Sequence, residues 1–125
     1  MSSKLEEKLS EFRLTFIAEF NEGVNIDYNN FDECKTQIEN FFRNKDFGFV
    51  SNRINSYSLV LTDAPLFNNA FKNLKAYATV TYSAFAEKMF DVENHFFKFN
   101  KQNFTSLYDA TTWVENTLKK AVYLN

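Results

Sequence analysis

"AYATVTY", Ala76 to Tyr82, is the stretch from which the fold is read. β-branched and aromatic side chains dominate it, and it holds no Gly, Pro or charge, as befits a strand inside a sheet rather than at its rim. Before it, Thr62-Asp63-Ala64-Pro65 offers a side-chain cap and then Pro in the first turn, a helix start. Phe67, Phe71 and Leu74 are expected to line the short helix that follows. After it, Ser83 caps another helix, in which Phe85, Met89, Val92 and Phe96 are spaced as an inner stripe that Phe90 and Phe97 widen. A central strand between two helices calls for parallel neighbours, because each helix returns the chain to the end of the sheet where the next strand begins.

Working outward, Arg13 to Phe20 (RLTFIAEF) alternates, with Leu14, Phe16, Ala18 and Phe20 on one face and Thr15, Ile17 and Glu19 on the other, and so predicts a strand. The preceding Leu5 to Phe12 fits either a strand paired with it or a helical lead-in. Asn21-Glu22-Gly23 reads as a turn in which Gly23 is free to take positive φ, and Val24 and Ile26 resume an extended course. Asn30 and Glu33 have the spacing of a capping box, and Phe31, Cys34, Ile38, Phe41 and Phe42 the spacing of a helix over about Tyr28 to Asn44, with Asp46 and Gly48 at its exit. Phe47 to Val50 and Tyr57 to Leu61 are apolar runs that fit one bent strand or two short ones, with the polar Ser51 to Ser56 between them. Phe99 to Thr105 contains a last short strand. Ser106 with Asp109 then caps a final helix with Ala110, Trp113, Val114, Leu118, Ala121 and Val122 on one face and Glu115, Lys119 and Lys120 outside. The alternation predicts an α/β fold: a mixed, mainly parallel sheet of roughly four to five strands covered by about four helices, in one domain over residues 1–125.

At 125 residues the chain can bury a core without disulfides or metal. Its 16 Phe and 6 Tyr fit either an apolar ligand pocket or the codon bias that also enriches Asn and Lys. The net charge of −2 comes without a basic run, which excludes tight nucleic-acid binding, since that needs clustered Lys and Arg. The one cysteine, Cys34, forms no internal disulfide and falls on an apolar helix stripe, as a buried structural thiol does. MSSKLEEKLSEF places acids where a signal peptide needs an apolar core, and no apolar run reaches membrane-spanning length, so a cytoplasmic location is expected and any membrane contact would be peripheral.

"FIAEFNEGVNIDYNNFDECKTQIENFF", "FGFVSNRINSYSL", "AYATVTYSAFAEKMFDVENHFF" and "FTSLYDATTWVENTL" run in the order of a STAS domain, and the chain from about Arg13 to Leu118 resembles the SpoIIAA-like branch of small bacterial proteins. The SNRINSYS segment and the T-x-W of Thr111 to Trp113 are its best local matches. The resemblance implies the fold of the anti-sigma-factor antagonist SpoIIAA, related to that of CRAL-TRIO lipid carriers. It implies a lipid-like or apolar ligand, or a regulatory protein partner; no cofactor is expected. The antagonists carry an Asp-Ser-Ser-Gly-like motif with a phosphorylated Ser, and that region falls here near Asn55, Ser56, Tyr57 and Ser58. Asn55 stands where the family has Asp, and no Gly follows.

The candidate sites follow from these readings. Ser56 and Ser58 are candidate phosphorylation sites, or hydroxyls that satisfy loop backbone. Arg53, in an otherwise uncharged stretch, presents a planar fork suited to a phosphate or carboxylate, or forms a salt bridge with Asp46, Asp63 or a helix acid. Tyr57, Tyr77 and Tyr82 would line a pocket with Arg53, beside the helix start at Ser83, or pack in the core. His95, with Asp91 one turn earlier, lacks an assignable nucleophile, and one His with one Cys falls short of a zinc pattern, so no metal is expected. The expected function is a non-enzymatic module binding a small amphiphile or a protein partner, with a phosphorylation-controlled partner switch as the alternative. A homodimer through the wide Phe85–Phe97 helix is the expected assembly.

Overall fold

The computed structural model describes residues 3–9 and 14–124. The chain runs β1 (Ser3–Leu9), β2 (Leu14–Phe20), β3 (Asn25–Ile26), α1 (Asp32–Phe42), β4 (Phe47–Arg53), β5 (Ser58–Leu59), a 3-10 turn (Leu61–Asp63), α2 (Ala64–Ala70), β6 (Leu74–Thr81), α3 (Ala84–Glu93), β7 (Lys101–Phe104) and α4 (Leu107–Leu124). The main sheet is five-stranded in the order β1-β2-β4-β6-β7, and β3 and β5 form a separate two-stranded pair. β2, β4, β6 and β7 are parallel, and β1 pairs antiparallel with β2, which settles the first segment as a strand through Leu9, its remainder lying outside the described residues. This is the mixed, mainly parallel sheet expected from the alternation.

Parallel strands added always on the same side, joined by right-handed crossovers, must place α1, α2 and α3 on one face. The α4 helix follows the last strand and covers the other face. There Ala110, Val114 and Leu118 pack on Ile17, Val50, Ala76, Ala78 and Val80. The opposite face is aromatic: Phe16, Phe49 and Tyr77 are cross-strand neighbours, and their rings stack at 5.4 and 5.5 Å. Phe31, Cys34, Ile38, Phe42 and Phe67 from α1, its lead-in and α2 complete this core. Cys34 is fully buried, and burial, with Glu33 adding to it, pushes its thiol up to about 12.

Several local expectations are corrected. Asn30 does not pair with Glu33. It forms a reciprocal pair with Asp27, each side chain accepting the other's backbone N–H at 2.9 and 2.6 Å, so the chain makes a turn before α1 begins at Asp32. The helix exit lies at Arg43 and Asn44, both in the left-handed region (φ 47° and 70°), and not at Gly48. Gly48 sits inside β4, where a Cβ would collide with Val114 Cγ1 of α4. The glycine is there so that helix and sheet can approach closely. Gly23 does take positive φ, at 77°. Leu74 begins β6 rather than lining α2, which ends at Ala70.

The α3 stripe is also corrected. Phe85, Val92 and Phe96 are 68, 44 and 44% exposed, whereas Phe90, Glu93 and Phe97 are buried. Two apolar rows with the same spacing run along this helix one residue apart, and the row containing Glu93 turns inward because Glu93 has a buried partner in Arg53. Phe90 and Phe97 are covered within the monomer, which removes them as a dimer surface.

Candidate functional site

The polar bend expected after Val50 is in fact the continuation of β4, every residue of which is buried. Alternation along the strand turns Phe47, Phe49, Ser51 and Arg53 toward the aromatic face, and Gly48, Val50 and Asn52 toward α4. The chain then leaves the sheet. Asn55 Nδ2 donates to the Phe20 carbonyl at 2.9 Å, and Gly23 N donates to the Ser56 carbonyl at 2.7 Å, which ties this loop to the β2–β3 turn. So anchored, Tyr57 folds back over the end of β4. Its hydroxyl bonds Ser51 Oγ, and its ring lies 5.1 Å from the Arg53 guanidinium carbon.

Arg53 is buried and clamps Glu93 of α3 with two bonds, Nη2 to Oε1 at 2.6 Å and Nη1 to Oε2 at 3.2 Å. Burial opposes the guanidinium charge. Tyr57, Tyr77 and Glu93 outweigh it and hold the Arg53 pKa above its ordinary value. Burial raises the Tyr57 and Tyr77 phenols against the pull of Arg53, so both stay neutral hydroxyls. Lys101 is the β7 neighbour of Tyr77. Its ammonium bonds the Asn94 carbonyl at 3.1 Å and the Phe97 carbonyl, beyond the end of α3. Burial brings the Lys101 pKa down to about 8, with Glu93 pulling it up and Lys98 pushing it further down.

These groups edge a cavity of about 60 Å³ between the sheet and the helices on its aromatic face. The body of the cavity is apolar, formed by rings such as Phe20, Phe31, Phe49, Phe67 and Phe97. Its polar lining is Ser51, Tyr57, Tyr77, Glu93 and Lys101. The volume is several times the roughly 10–15 Å³ that one water needs, and well below the roughly 300–1,000 Å³ of a site for a drug-sized molecule. Flat, rigid rings do not fill space as aliphatic chains do, and the gap lies where they converge.

Of the sequence-derived candidates, Arg53, Tyr57 and Tyr77 are brought together here. Arg53 takes the helix acid as its partner, one of the alternatives read from the sequence. Tyr82 and Ser83 stand elsewhere. Tyr82 falls at the opposite phase of β6 from Tyr77, so its hydroxyl donates to Asn52 Oδ1 at 2.6 Å on the other side of the sheet, where Asn52 Nδ2 also donates to Glu19 Oε2 at 2.8 Å. Ser83 caps α3 through Ala86 N at 3.1 Å. Ser56 is exposed and its N–H donates to Glu22 Oε2 at 2.7 Å, while Ser58 Oγ donates to Asn25 Oδ1 at 2.8 Å beside the β3–β5 pair. His95 is exposed. Among the described residues no group of three or more His, Cys, Asp or Glu is placed to hold a metal ion, and no helix is long and apolar enough to cross a membrane.

Glu93 and Lys101 were missed from the sequence. The only signal was an Arg in an uncharged stretch, which had to find an acid somewhere. For Lys101 there was none, because a lysine on a short edge strand usually faces water.

No protein-family model matches the chain, and no curated protein matches it. Among solved structures it is similar to an uncharacterized protein of the DUF3478 family from Shewanella loihica PV-4, with 18% identity, a TM-score of 0.58, and 90% of this chain and 92% of that one covered. That structure is described as having a SpoIIAA-like fold. The fold of this chain, a parallel four-strand core with an antiparallel edge strand and helices on both faces, is SpoIIAA-like.

Proposed function

We propose that the protein is a non-enzymatic binding module that takes a small amphiphile in the cavity on the aromatic face. The observation that carries this reading is the division of the cavity lining, aromatic rings for the body and Ser51, Tyr57, Tyr77, Glu93 and Lys101 for one polar region. Ligand sites are built in this way, with apolar walls for affinity and a few fixed polar groups for orientation. The volume of about 60 Å³, below the roughly 150 Å³ of an apolar cavity that takes benzene, limits the apolar body to a single ring at most and leaves no room for a long acyl chain. The lone cysteine, with its thiol near 12, and the solvent-facing His95 supply no paired nucleophile and base, which supports binding over catalysis. The alternative, a partner switch driven by phosphorylation, is the weaker reading. A phosphate on Ser56 would meet the Glu22 carboxylate already held at its backbone.

The test is a titration of the protein with benzyl alcohol, a neutral ring-sized amphiphile, followed by ¹³C-methyl NMR of Ile26 and Ile38, which line the cavity. Saturable shifts of these methyls are expected. If they stay still while only surface signals move, the cavity is not a binding site. Native mass spectrometry of the purified protein is expected to reveal a small co-purifying ligand in some preparations.

A further inference from the structure

The chemical class of the ligand can be narrowed by counting charge, an inference that rests on the cavity being a binding site. Lys101 and Glu93 line its polar region, and Arg53 stands behind them, paired with Glu93, so that two cations and one anion are grouped there. Both Glu93 oxygens are taken by Arg53. Among the described residues Lys101 hydrogen-bonds the Asn94 and Phe97 carbonyls, which are neutral acceptors, and the one carboxylate acting on it is Glu93, already paired with Arg53. The remaining polar groups facing it, Ser51, Tyr57 and Tyr77, carry no charge, and the nearby Lys98 adds a further positive potential. Glu19 cannot balance the excess, because it is bound to Asn52 on the other side of the sheet. In addition, Arg53 Nε is buried with no hydrogen-bond partner among the described residues. Native proteins rarely leave a buried donor unpaired, and a half-buried ammonium at the edge of an apolar cavity is a ready partner for an anion.

We propose that the ligand is a small monocarboxylate whose apolar body is no larger than a single ring and whose carboxylate balances the excess positive charge of Lys101 and Arg53 over Glu93. The rings hold the body, and the Tyr57 and Tyr77 hydroxyls are further donors for the carboxylate. A neutral amphiphile leaves the excess cation uncompensated, and a phosphate dianion overshoots it.

The experiment compares benzoate, benzyl alcohol and toluene on the full chain by calorimetry, with the Ile26 and Ile38 methyls reporting where each binds. Benzoate is expected to bind about tenfold more tightly than benzyl alcohol near neutral pH. That preference should fade between about pH 7 and about pH 9.5 as Lys101 loses its proton, since benzoate itself does not titrate there. Lys101→Met should abolish the preference for benzoate over benzyl alcohol, and Lys101→Arg should retain it. Benzyl alcohol or toluene binding in the cavity as tightly as benzoate would overturn the carboxylate assignment and leave the binding-module reading standing. So would a preference that is flat with pH or intact in Lys101→Met. Methyls that respond to none of the three probes would remove both. Because the pH series uses the native protein, the inference is decided even if Lys101→Met does not fold.

Discussion

On the α4 face of the sheet, small aliphatic side chains meet one long helix across a glycine, and Ala76, Ala78, Val80, Ala110 and Val114 are fully buried. On the opposite face, three short helices cover Phe16, Phe49 and Tyr77, and the fit is interrupted by a cavity edged by a carboxylate, two phenols and an amine. The same strands serve both. Val50 and Ser51 are adjacent residues, one in a dry aliphatic contact and the other bonded to Tyr57 at the cavity. The difference shows that alternation lets one sheet carry a close-packed layer on one side and a cavity on the other, with the compact face supplying a rigid base for the looser one.

The largest effect is expected on the looser face. Arg53→Leu strands the Glu93 carboxylate in the interior and should cost about 3–5 kcal/mol in urea unfolding, whereas Arg53→Leu with Glu93→Leu should recover most of that loss. If the double variant is as unstable as the single one, the ion pair is not the weak point of this face. On the compact face, Gly48→Ala drives a methyl into Val114, which is stiff and fully enclosed, and should cost about 1–3 kcal/mol. Smaller, but of opposite sign on the two faces, is the response to added volume. Ala78→Val should destabilise by about 1–2 kcal/mol, while Leu59→Phe, which grows into the cavity, should be neutral or stabilising by up to about 1 kcal/mol and should block benzyl alcohol. Equal penalties at both positions would erase the contrast.

The smallest effect is a pH dependence. The folded Lys101 pKa, near 8, lies below its unfolded value, so the unfolded chain binds more protons between about pH 8 and about pH 10.5, and stability rises with pH in that window. Tyr57 and Tyr77 have folded values raised above their unfolded ones, so their contribution is complete below about pH 10 and is lost above it. Denaturation across this range should therefore show a shallow maximum. Subtracting the Lys101→Met profile should remove its rising limb, an increment of a few tenths of a kcal/mol given the partial solvent screening.

Much of this was legible in the sequence where local pattern and tertiary contact agree. LTFIAEF and AYATVTY are apolar or β-branched along nearly their whole length because each lies between two packed layers, and Ala110, Val114 and Leu118 recur at helical spacing because a single face of α4 is covered. The illegible parts are those decided at a distance. Ser51-Asn52-Arg53 reads as a loop, yet it is strand, because Tyr57, Glu19 and Glu93 satisfy its side chains from elsewhere in the chain. The phase of α3 was misread because the row containing Phe85 is wholly apolar while the row containing Phe90 includes Glu93, and local hydrophobicity favours the row that the distant Arg53 turns outward. Of the candidate site, Arg53, Tyr57 and Tyr77 were named from sequence. Glu93 and Lys101 were not, since their importance comes from the partners they meet.

The enclosure of Cys34 has a practical consequence. With so little thiolate present at neutral pH, the native sulfur is nearly inert to maleimides and iodoacetamides. A cysteine introduced at Ile54, an exposed position one residue past the end of β4, would therefore be alkylated selectively in the otherwise natural chain. A fluorophore or spin label attached there would report directly on the mobility of the segment that carries Tyr57.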